Sequence, residues 1–456
     1  FMSFYLLNNF HLTFQYQNNN CIMKIINKMR KNLFWMLDSF KGNIIKKHLE
    51  EVQTVLNDFN SKNSFEIRSF NEASILKHAI TSVPYYQNYK NLTSLSDFPI
   101  VNKNIIRDNF DALHSIEYLN KKKNIVSTSG STGTPFQISQ DVNKHKRNIA
   151  DTAFFASRAG YTIGEELIYI KLWANINGIK RLLHLFKNIK THSVYKLSDS
   201  DISLLVKKIE NSSNNLNMIG YAGYYEKICN YLDSINSEPI KCNMKSIIAF
   251  SERLSDYTKK RMQKYFGCQV VSRYSNNENG ILAQQNLIKN KRFEVNWASY
   301  TIEIFDLNED KPVQYGKLGR VIVTDYYNYA MPLIRYDTGD IGVMNSDDRN
   351  VPFLERIEGR KLDMIYNTSG EIVSSHLAYH VCKYGNFKQY QLLQDGLKDY
   401  KINLNTSSKV ENEAEMIEEY KGYLGHDANI NVNYVNDIPV LNSGKRQEVT
   451  NTYYKN

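Results

Sequence analysis

Residues 127–135 read STSGSTGTP, from Ser127 to Pro135. Five hydroxyl side chains precede the second glycine, Gly133, and a proline closes the stretch. Glycine lets a backbone approach a ligand closely, and exposed N–H groups together with hydroxyls can wrap phosphate oxygens. It is not a Walker loop, which demands a lysine and a longer spacing than Gly130 to Gly133 provides. By itself the stretch reads either as a phosphate cradle or as an ordinary turn. Its flanks are short apolar runs (KKKNIV before, FQIS after), so the local pattern is strand–loop–strand.

Outward from the loop, the chain alternates. Between about 140 and 290, helical stretches (SDISLLVKKIENS, LSDYTKKRMQKYF) interleave with β-like runs (ELIYIKLW, KSIIAF, CQVVSRY). Such alternation predicts an α/β domain with parallel strands. Residues 45–120 read as helices joined by turns, with VPYY (83–86) and FPI (98–100) as breaks. From about 296 to 360 the text is β-rich: YTIEIFDL, GRVIVTDY, MPLIRYD, DIGVMN. The remainder mixes strands with one acidic helical stretch, KVENEAEMIEEYKGYL. The expected organisation is a large α/β domain followed by a small α+β domain.

Composition narrows the classes. The 456 residues exceed one ordinary core, and 42% hydrophobic with 23% charged residues is a globular balance. No window approaches the roughly 18 apolar residues of a membrane-spanning helix, which predicts a soluble protein. Lys and Arg exceed Asp and Glu by 57 to 47, a net charge of +10 that favours anionic partners. The basic residues are spread along the chain and accompany no finger or RNA-binding signature, so solvated surface charge is preferred over nucleic-acid binding. Five scattered cysteines, never spaced C-x-x-C, argue against a disulfide framework and fit a reducing cytoplasm.

Residues 1–22 lack a basic region ahead of an apolar core and make a poor signal peptide. They are expected to be an extension upstream of a natural start at Met23. The segment after Met23 is basic and amphipathic, with Ile26, Met29, Leu33, Leu37 and Phe40 available for one face. It is predicted to pack as an N-terminal helix, with peripheral contact to an acidic membrane as the alternative.

Further motifs follow the loop. RYSNNENG (273–280) ends a β-like run and offers an aromatic, Tyr274, and a carboxylate, Glu278, suited to stacking and to a metal. MPLIRYDTGDIG (331–342) places Asp337 to Asp340 in what reads as a tight turn leaving a strand. A carboxylate there can accept both hydrogen bonds of a ribose diol. NDIPVLNSGKRQEV puts Lys445 on a Ser-Gly-Lys turn, from which a lysine can neutralise developing negative charge. Each piece alone also reads as a polar turn or a solvated side chain.

The order of these motifs is what decides. VPYY, STSGSTGTP, Tyr274 with Glu278, RYDTGD, Gly359-Arg360 and the late Gly-Lys resemble the phenylacetate–CoA ligase-like branch of the acyl-adenylate-forming (AMP-binding) superfamily, including relatives associated with capsular polysaccharide. The resemblance runs from about residue 70 to Lys445. It implies a large multi-sheet N-terminal AMP-binding domain (23–358), a hinge (359–363) and a small mobile α+β domain (364–456). It implies a reaction of ATP with a small carboxylic acid to give acyl-AMP and pyrophosphate, followed by transfer to coenzyme A or to an amine, such as an amino sugar.

The resemblance also assigns roles. Thr128, Ser129, Gly130, Ser131, Thr132 and Gly133 would grip the β- and γ-phosphates. Ser251 and Glu252 would line the adenine, and Tyr274 would stack on it or close the acyl pocket. Asn277 stands where a hydroxyl usually meets the α-phosphate, and Glu278 would hold Mg²⁺. Asp340 would take the ribose hydroxyls, supported by Arg360. Asp363 marks the hinge, and Lys445 would bridge carboxylate and α-phosphate. Trp173, Tyr221 and Gly223 are acyl-pocket candidates. Three positions depart from the family's pattern: Ser275 replaces a glycine, Asn277 replaces the hydroxyl, and Leu362 stands where many relatives carry an acid. The alternative function is a catalytically silent scaffold of the same fold. Oligomeric state is not readable from the sequence.

Overall fold

The computed structural model describes residues 22–89, 91, 94–128, 136–171, 178–194, 198–251, 254–288, 292–360, 365–373, 375–385, 387, 389–406, 408–438 and 449–453. In chain order its helices are α1 (22–39), α2 (Ile44–Asn57), α3 (Lys62–Ser82), α4 (Lys103–Asp108), α5 (Val142–Arg158), α6 (Gly178–Phe186), α7 (Asp199–Glu210), α8 (Ala222–Ser234), α9 (Asp256–Phe266) and α10 (Glu413–Leu424). The first strands are β1 (Lys123–Thr128), β2 (Phe136–Asp141), β3 (Glu166–Lys171), β4 (Ile189–Ser193), β5 (Leu216–Tyr221), β6 (Met244–Phe250), β7 (Val270–Asn276), β8 (Gly280–Gln285) and β9 (Phe293–Val295). After them come β10 (Tyr300–Phe305), β11 (Leu318–Asp325), β12 (Tyr336–Ser346) and β13 (Pro352–Arg360). The chain divides into two compact units, each made of two separated stretches of sequence.

The first unit takes the described residues up to Asn71 together with Gln140–Ser299. Its strands follow the order β9-β8-β7-β6-β5-β3-β4, parallel from β4 to β7 and antiparallel from β7 to β9. The expected alternation of helix and parallel strand is therefore present. Local chemistry sets the helix ends. Ser198 caps α7 by accepting from the Asp201 N–H at 3.2 Å, and Ser255 caps α9 by accepting from Thr258 at 3.0 Å. Gly267 ends α9 in the left-handed region, φ +65°, which costs a glycine little. The apolar faces of α7, α8 and α9 cover one face of the sheet, around Ile170, Met218, Tyr225, Ile228, Ile247 and Met262.

On the other side of this unit, α5 is pinned by a buried ionic network. Arg147 is fully buried and donates to Glu51 of α2 (2.9 Å), to Ser299 Oγ (2.9 Å) and to the Ala298 carbonyl (2.8 Å). Asp151, one helical turn away, lies 3.4 Å from the same guanidinium. Burial pushes its carboxyl above the usual carboxylate range, while Arg147 pulls it back.

The second unit comprises Glu72–Ser139 and Tyr300–Asn456. Strands β10 to β13 form an antiparallel meander. Ile75, Ala79, Tyr86, Phe98, Met331 and Tyr336 share a core, so VPYY and FPI are packing elements of this unit. Arg335 holds a left-handed φ of +49°, fixed by bonds to the carbonyls of Ser96 (2.8 Å) and Phe98 (2.9 Å). The run MPLIRYD, expected as a strand, is thus irregular through Arg335, and β12 begins only at Tyr336. Strands β1 and β2 form a two-stranded sheet, as the strand–loop–strand pattern predicts, and the loop between them lies outside the described residues.

The end of this unit has its own core. Strands β14 (Ile365–Tyr366) and β15 (Ile372–Val373) pair, and β16 (Gln389–Gln394), β17 (Asp399–Asn405), β18 (Asn429–Tyr434) and β19 (Val449–Asn451) form a mixed sheet in the order β18-β17-β16-β19. Leu392, Tyr400, Ile402, Met416 and Tyr420 meet between that sheet and α10, which is the acidic helical stretch read from the sequence. Among the described residues no helix is long and apolar enough to cross a membrane. Cys229, Cys242 and Cys268 are free thiols.

Candidate functional site

In the first unit, strands β3, β5, β6 and β7 deliver their carboxyl ends to one edge. Open α/β sheets bind ligands outside that edge. Phe250, the last residue of β6, sits at its centre. Its ring lies 5.2 Å from Tyr221 and 6.1 Å from Tyr169, both edge-on. Tyr221 ends β5 and precedes α8, whose first turn contains Gly223. The structure therefore brings the acyl-pocket candidate Tyr221 beside the segment that begins with Ser251. Ser251 itself is half-buried with φ +77°, a left-handed backbone that a serine adopts only when its surroundings hold it there.

The neighbouring strand β7 carries Tyr274, which is buried and pairs across from Ala283 of β8. This aromatic lies inside the strand, not at its end, because β7 continues to Asn276 before turning. Asn276 Oδ1 then accepts from the Asn279 N–H at 2.8 Å and closes the hairpin. Within the turn Asn277 is exposed, whereas Glu278 is only 2% exposed. Gln140, buried at the end of β2, donates to the Glu278 carbonyl at 2.7 Å and to that of Asn277 at 3.3 Å. A polar turn should hold its acid in water. This one keeps a carboxylate buried and its backbone clamped, an arrangement that fixes the acid in place.

Beside Tyr274, Arg273 points a second kind of charge into this unit. It is 8% exposed, and its Nε donates to Gln284 Oε1 at 2.9 Å. Its Nη2 is buried and has no hydrogen-bond partner among the described residues. Burial lowers the guanidinium to about 10, and the nearby Tyr169 hydroxyl opposes that shift. Sequence reading passed over both Arg273 and Gln140. A charged residue inside the apolar run CQVVSRY is a signal that could have flagged Arg273. Gln140 carried none, since its partners lie 137 and 138 residues away.

In the second unit, the stretch read as a turn leaving a strand lies inside β12. Its turn-like bonds are local. Asp337 Oδ1 accepts from the Gly339 N–H at 2.9 Å, and Thr338 Oγ accepts from Asp340 at 3.1 Å. Gly339 has φ +78°, so the strand kinks there without breaking. Asp337 is committed to Arg320, whose Nη1 donates to it at 2.8 Å. Asp340 is half-buried and stands opposite Arg360 of β13 in the strand register.

Thr128 ends β1, and nothing is described of its side chain or of that of Arg360. Ser129, Gly130, Ser131, Thr132, Gly133, Trp173, Glu252, Asp363 and Lys445 lie outside the described residues. Among those described, no group of three or more His, Cys, Asp or Glu could form a protein cage for a metal. One protein carboxylate is enough for Mg²⁺ when substrate phosphates and water supply its other ligands, so Glu278 fits that mode of binding.

Comparison with known proteins adds the following. Residues 365–452 match the family model described as the CapK C-terminal domain. Protein CapK of Staphylococcus aureus is 23% identical over 380 residues, covering 79% of this chain and 81% of its own. The phenylacetate-coenzyme A ligase of Aromatoleum evansii is 22% identical over 372 residues, covering 77% and 84%. The crystal structure of 2-hydroxyisobutyryl-CoA ligase in its postadenylation state, in complex with R3-HIB-AMP, superposes with a TM-score of 0.65. It matches 85% of this chain and 89% of its own at 15% identity, which establishes a shared fold.

Proposed function

Since the chain is homologous to the phenylacetate–CoA ligase-like branch of the adenylate-forming superfamily, CapK included, and has its α/β fold, we propose that it is an AMP-forming acyl ligase. It activates a small carboxylic acid with ATP as acyl-AMP, releases pyrophosphate, and passes the acyl group to an acceptor in the cytoplasm. The single observation that carries this reading is Glu278: a carboxylate buried and clamped in a hairpin at the carboxyl end of a parallel sheet. Solvation alone gives no reason to keep it there.

The substrate carboxylate is its own nucleophile, so the protein's part is to position and to stabilise charge. Ser129 to Gly133, with Thr128, hold the β- and γ-phosphates. Ser251, Glu252 and Tyr274 line the adenine, Asn277 donates to the α-phosphate, and Asp340 with Arg360 takes the ribose. Glu278 holds Mg²⁺, which when bound draws charge from the phosphate oxygens. The acyl group lies near Trp173, Tyr221 and Gly223, with Arg273 offering a donor to any polar end it carries. Lys445, on a lid domain of residues 364–456 hinged at 359–363, bridges carboxylate and α-phosphate. Rotation of that lid then admits the acceptor.

The acceptor is coenzyme A or an amine, such as an amino sugar of a surface polysaccharide. The test is pyrophosphate release with a panel of carboxylates, run with and without CoA and with amino sugars. Release that requires an amino sugar and ignores CoA excludes the thioester. Lys445→Ala is expected to slow adenylation by about 10²–10³-fold, by analogy with the loss of one oxyanion donor. An unchanged rate refutes the mechanism, and no release from the parent chain with any acid leaves the catalytically silent scaffold.

A further inference from the structure

The N-terminal segment was expected to turn Ile26, Met29, Leu33, Leu37 and Phe40 inward along one face. The structure divides that set. Ile26 and Leu33 are half-buried, but Met29, Leu37 and Phe40 are exposed, Met29 at 64% and Phe40 at 81%. The helix is rotated because polar groups anchor its inner side. The Asn27 carbonyl lies against Gly164, where even a methyl group would approach it to 2.4 Å. With the Asn188 amide turned to suit its neighbours, its oxygen accepts from Arg30 Nη1 at 3.1 Å. At the C-terminal end Asp38 is buried, and its carboxylate accepts from the N–H groups of Ile45 and Lys46. What remains outside is an apolar stripe at helical spacing: Ile22, Ile25, Met29 and, further on, Met36 and Phe40.

A second helix does the same thing nearby. Asn188, which meets Arg30, follows α6 by two residues. In α6, Leu182, Leu183, Leu185 and Phe186 are all more than half exposed. Monomeric proteins seldom present two such helices, linked here through Arg30 and Asn188, without a use for them.

Apart from the buried Asp38, the charges on both helices have one sign. Residues 22–37 contain Lys24, Lys28, Arg30 and Lys31 and no acid; residues 178–190 contain Lys180, Arg181, Lys187 and Lys190 and no acid. Lys24, Lys28, Lys31, Arg181 and Lys187 are exposed. A second copy of this face would bring like charges together, which disfavours self-association through it. A bilayer of anionic phospholipid satisfies both requirements, since acyl chains take the apolar stripe and headgroups take the lysines.

We propose that α1 and α6 form a docking face that seats the first unit on the surface of an anionic membrane, in the plane of the headgroups and without spanning it. Acyl transfer would then take place beside the lipid surface. The docking face is independent of which carboxylate or acceptor the enzyme uses, so each reading stands or fails alone.

The experiment is co-sedimentation of the full chain with vesicles of phosphatidylcholine alone and of phosphatidylcholine with phosphatidylglycerol, at low and high salt. Binding is expected only with the anionic vesicles and is expected to weaken as salt rises. The triple substitution Lys24→Gln, Lys28→Gln, Lys31→Gln should weaken it on the order of a hundredfold. Ile25→Asp with Phe186→Asp should abolish it through the apolar contact. All five positions are exposed, so circular dichroism and melting are expected to match the parent chain. Failure to sediment with anionic vesicles overturns the proposal, as does equal binding by the lysine variant. Concentration-dependent dimerisation that Ile25→Asp with Phe186→Asp abolishes, with no vesicle binding, assigns the face to a second copy instead.

Discussion

Asp337 and Asp340 stand three residues apart on β12, and different roles are proposed for them. Asp337 pairs with Arg320 and accepts from the Gly339 N–H, so both oxygens serve the strand. Asp337→Asn should therefore cost about 1–3 kcal/mol of stability, read by urea unfolding, and leave the apparent affinity for ATP unchanged. Asp340→Asn should do the reverse: the loss of a charged acceptor for the ribose raises the KM for ATP by about ten- to a hundredfold with little change in melting. If both variants lose stability alike, the division of roles is wrong. Arg273 offers a second comparison. A buried guanidinium whose Nη2 has no partner among the described residues is a burden to the fold, so Arg273→Met, of similar volume and apolar, should keep or raise the melting temperature. The same variant should change which carboxylates are activated. A clear fall in melting temperature would instead make Arg273 a structural residue.

At the scale of elements, the α5 network is the opposite case, a buried guanidinium whose donors are well matched. Arg147 joins α5 to α2 and to the turn at Ala298 and Ser299. Arg147→Met would leave Asp151 buried without its ion-pair partner, held by Ser299 and Asn296 and with Lys144 as the remaining nearby cation, and should cost about 3–5 kcal/mol, measured by denaturant unfolding. The single helices and strands were largely readable. Helices α7 and α9 and the apolar runs at β3, β6 and β7 sit where the pattern placed them, because those signals are local. Two elements were misread for a physical reason. Residues 331–335 have strand composition, but Arg335 is held in a left-handed conformation by carbonyls more than two hundred residues away. The Asp337–Asp340 stretch has turn composition, yet its turn bonds are accommodated as a kink within β12.

For the whole molecule, discontinuity is the main feature. Each unit draws on two stretches of chain, so neither arises from a continuous segment. Residues 365–451 nevertheless carry a core of their own around Leu392, Tyr400 and Met416. A fragment of residues 364–456 should therefore unfold cooperatively on its own by circular dichroism and urea titration. A fragment of residues 140–299 should not, since it lacks α2 and with it the Glu51 partner of Arg147. Non-cooperative unfolding of the first fragment would count against the proposed domain boundary.

The sequence by itself determined the alternation that makes an α/β sheet, and it supplied the ordered motifs that carry the resemblance to a family. Both are encoded in near neighbours: periodicity, capping residues, glycines and hydroxyls at fixed spacing. Only the tertiary structure decided that Glu278 is buried in its turn, that Gln140 clamps it, and that Arg273 is enclosed with one donor unmatched. It alone showed which stripe of α1 faces outward and that α6 adds a second exposed apolar, acid-free surface. Burial and long-range hydrogen bonds depend on what the remote chain brings alongside, and no local pattern of residues carries that information.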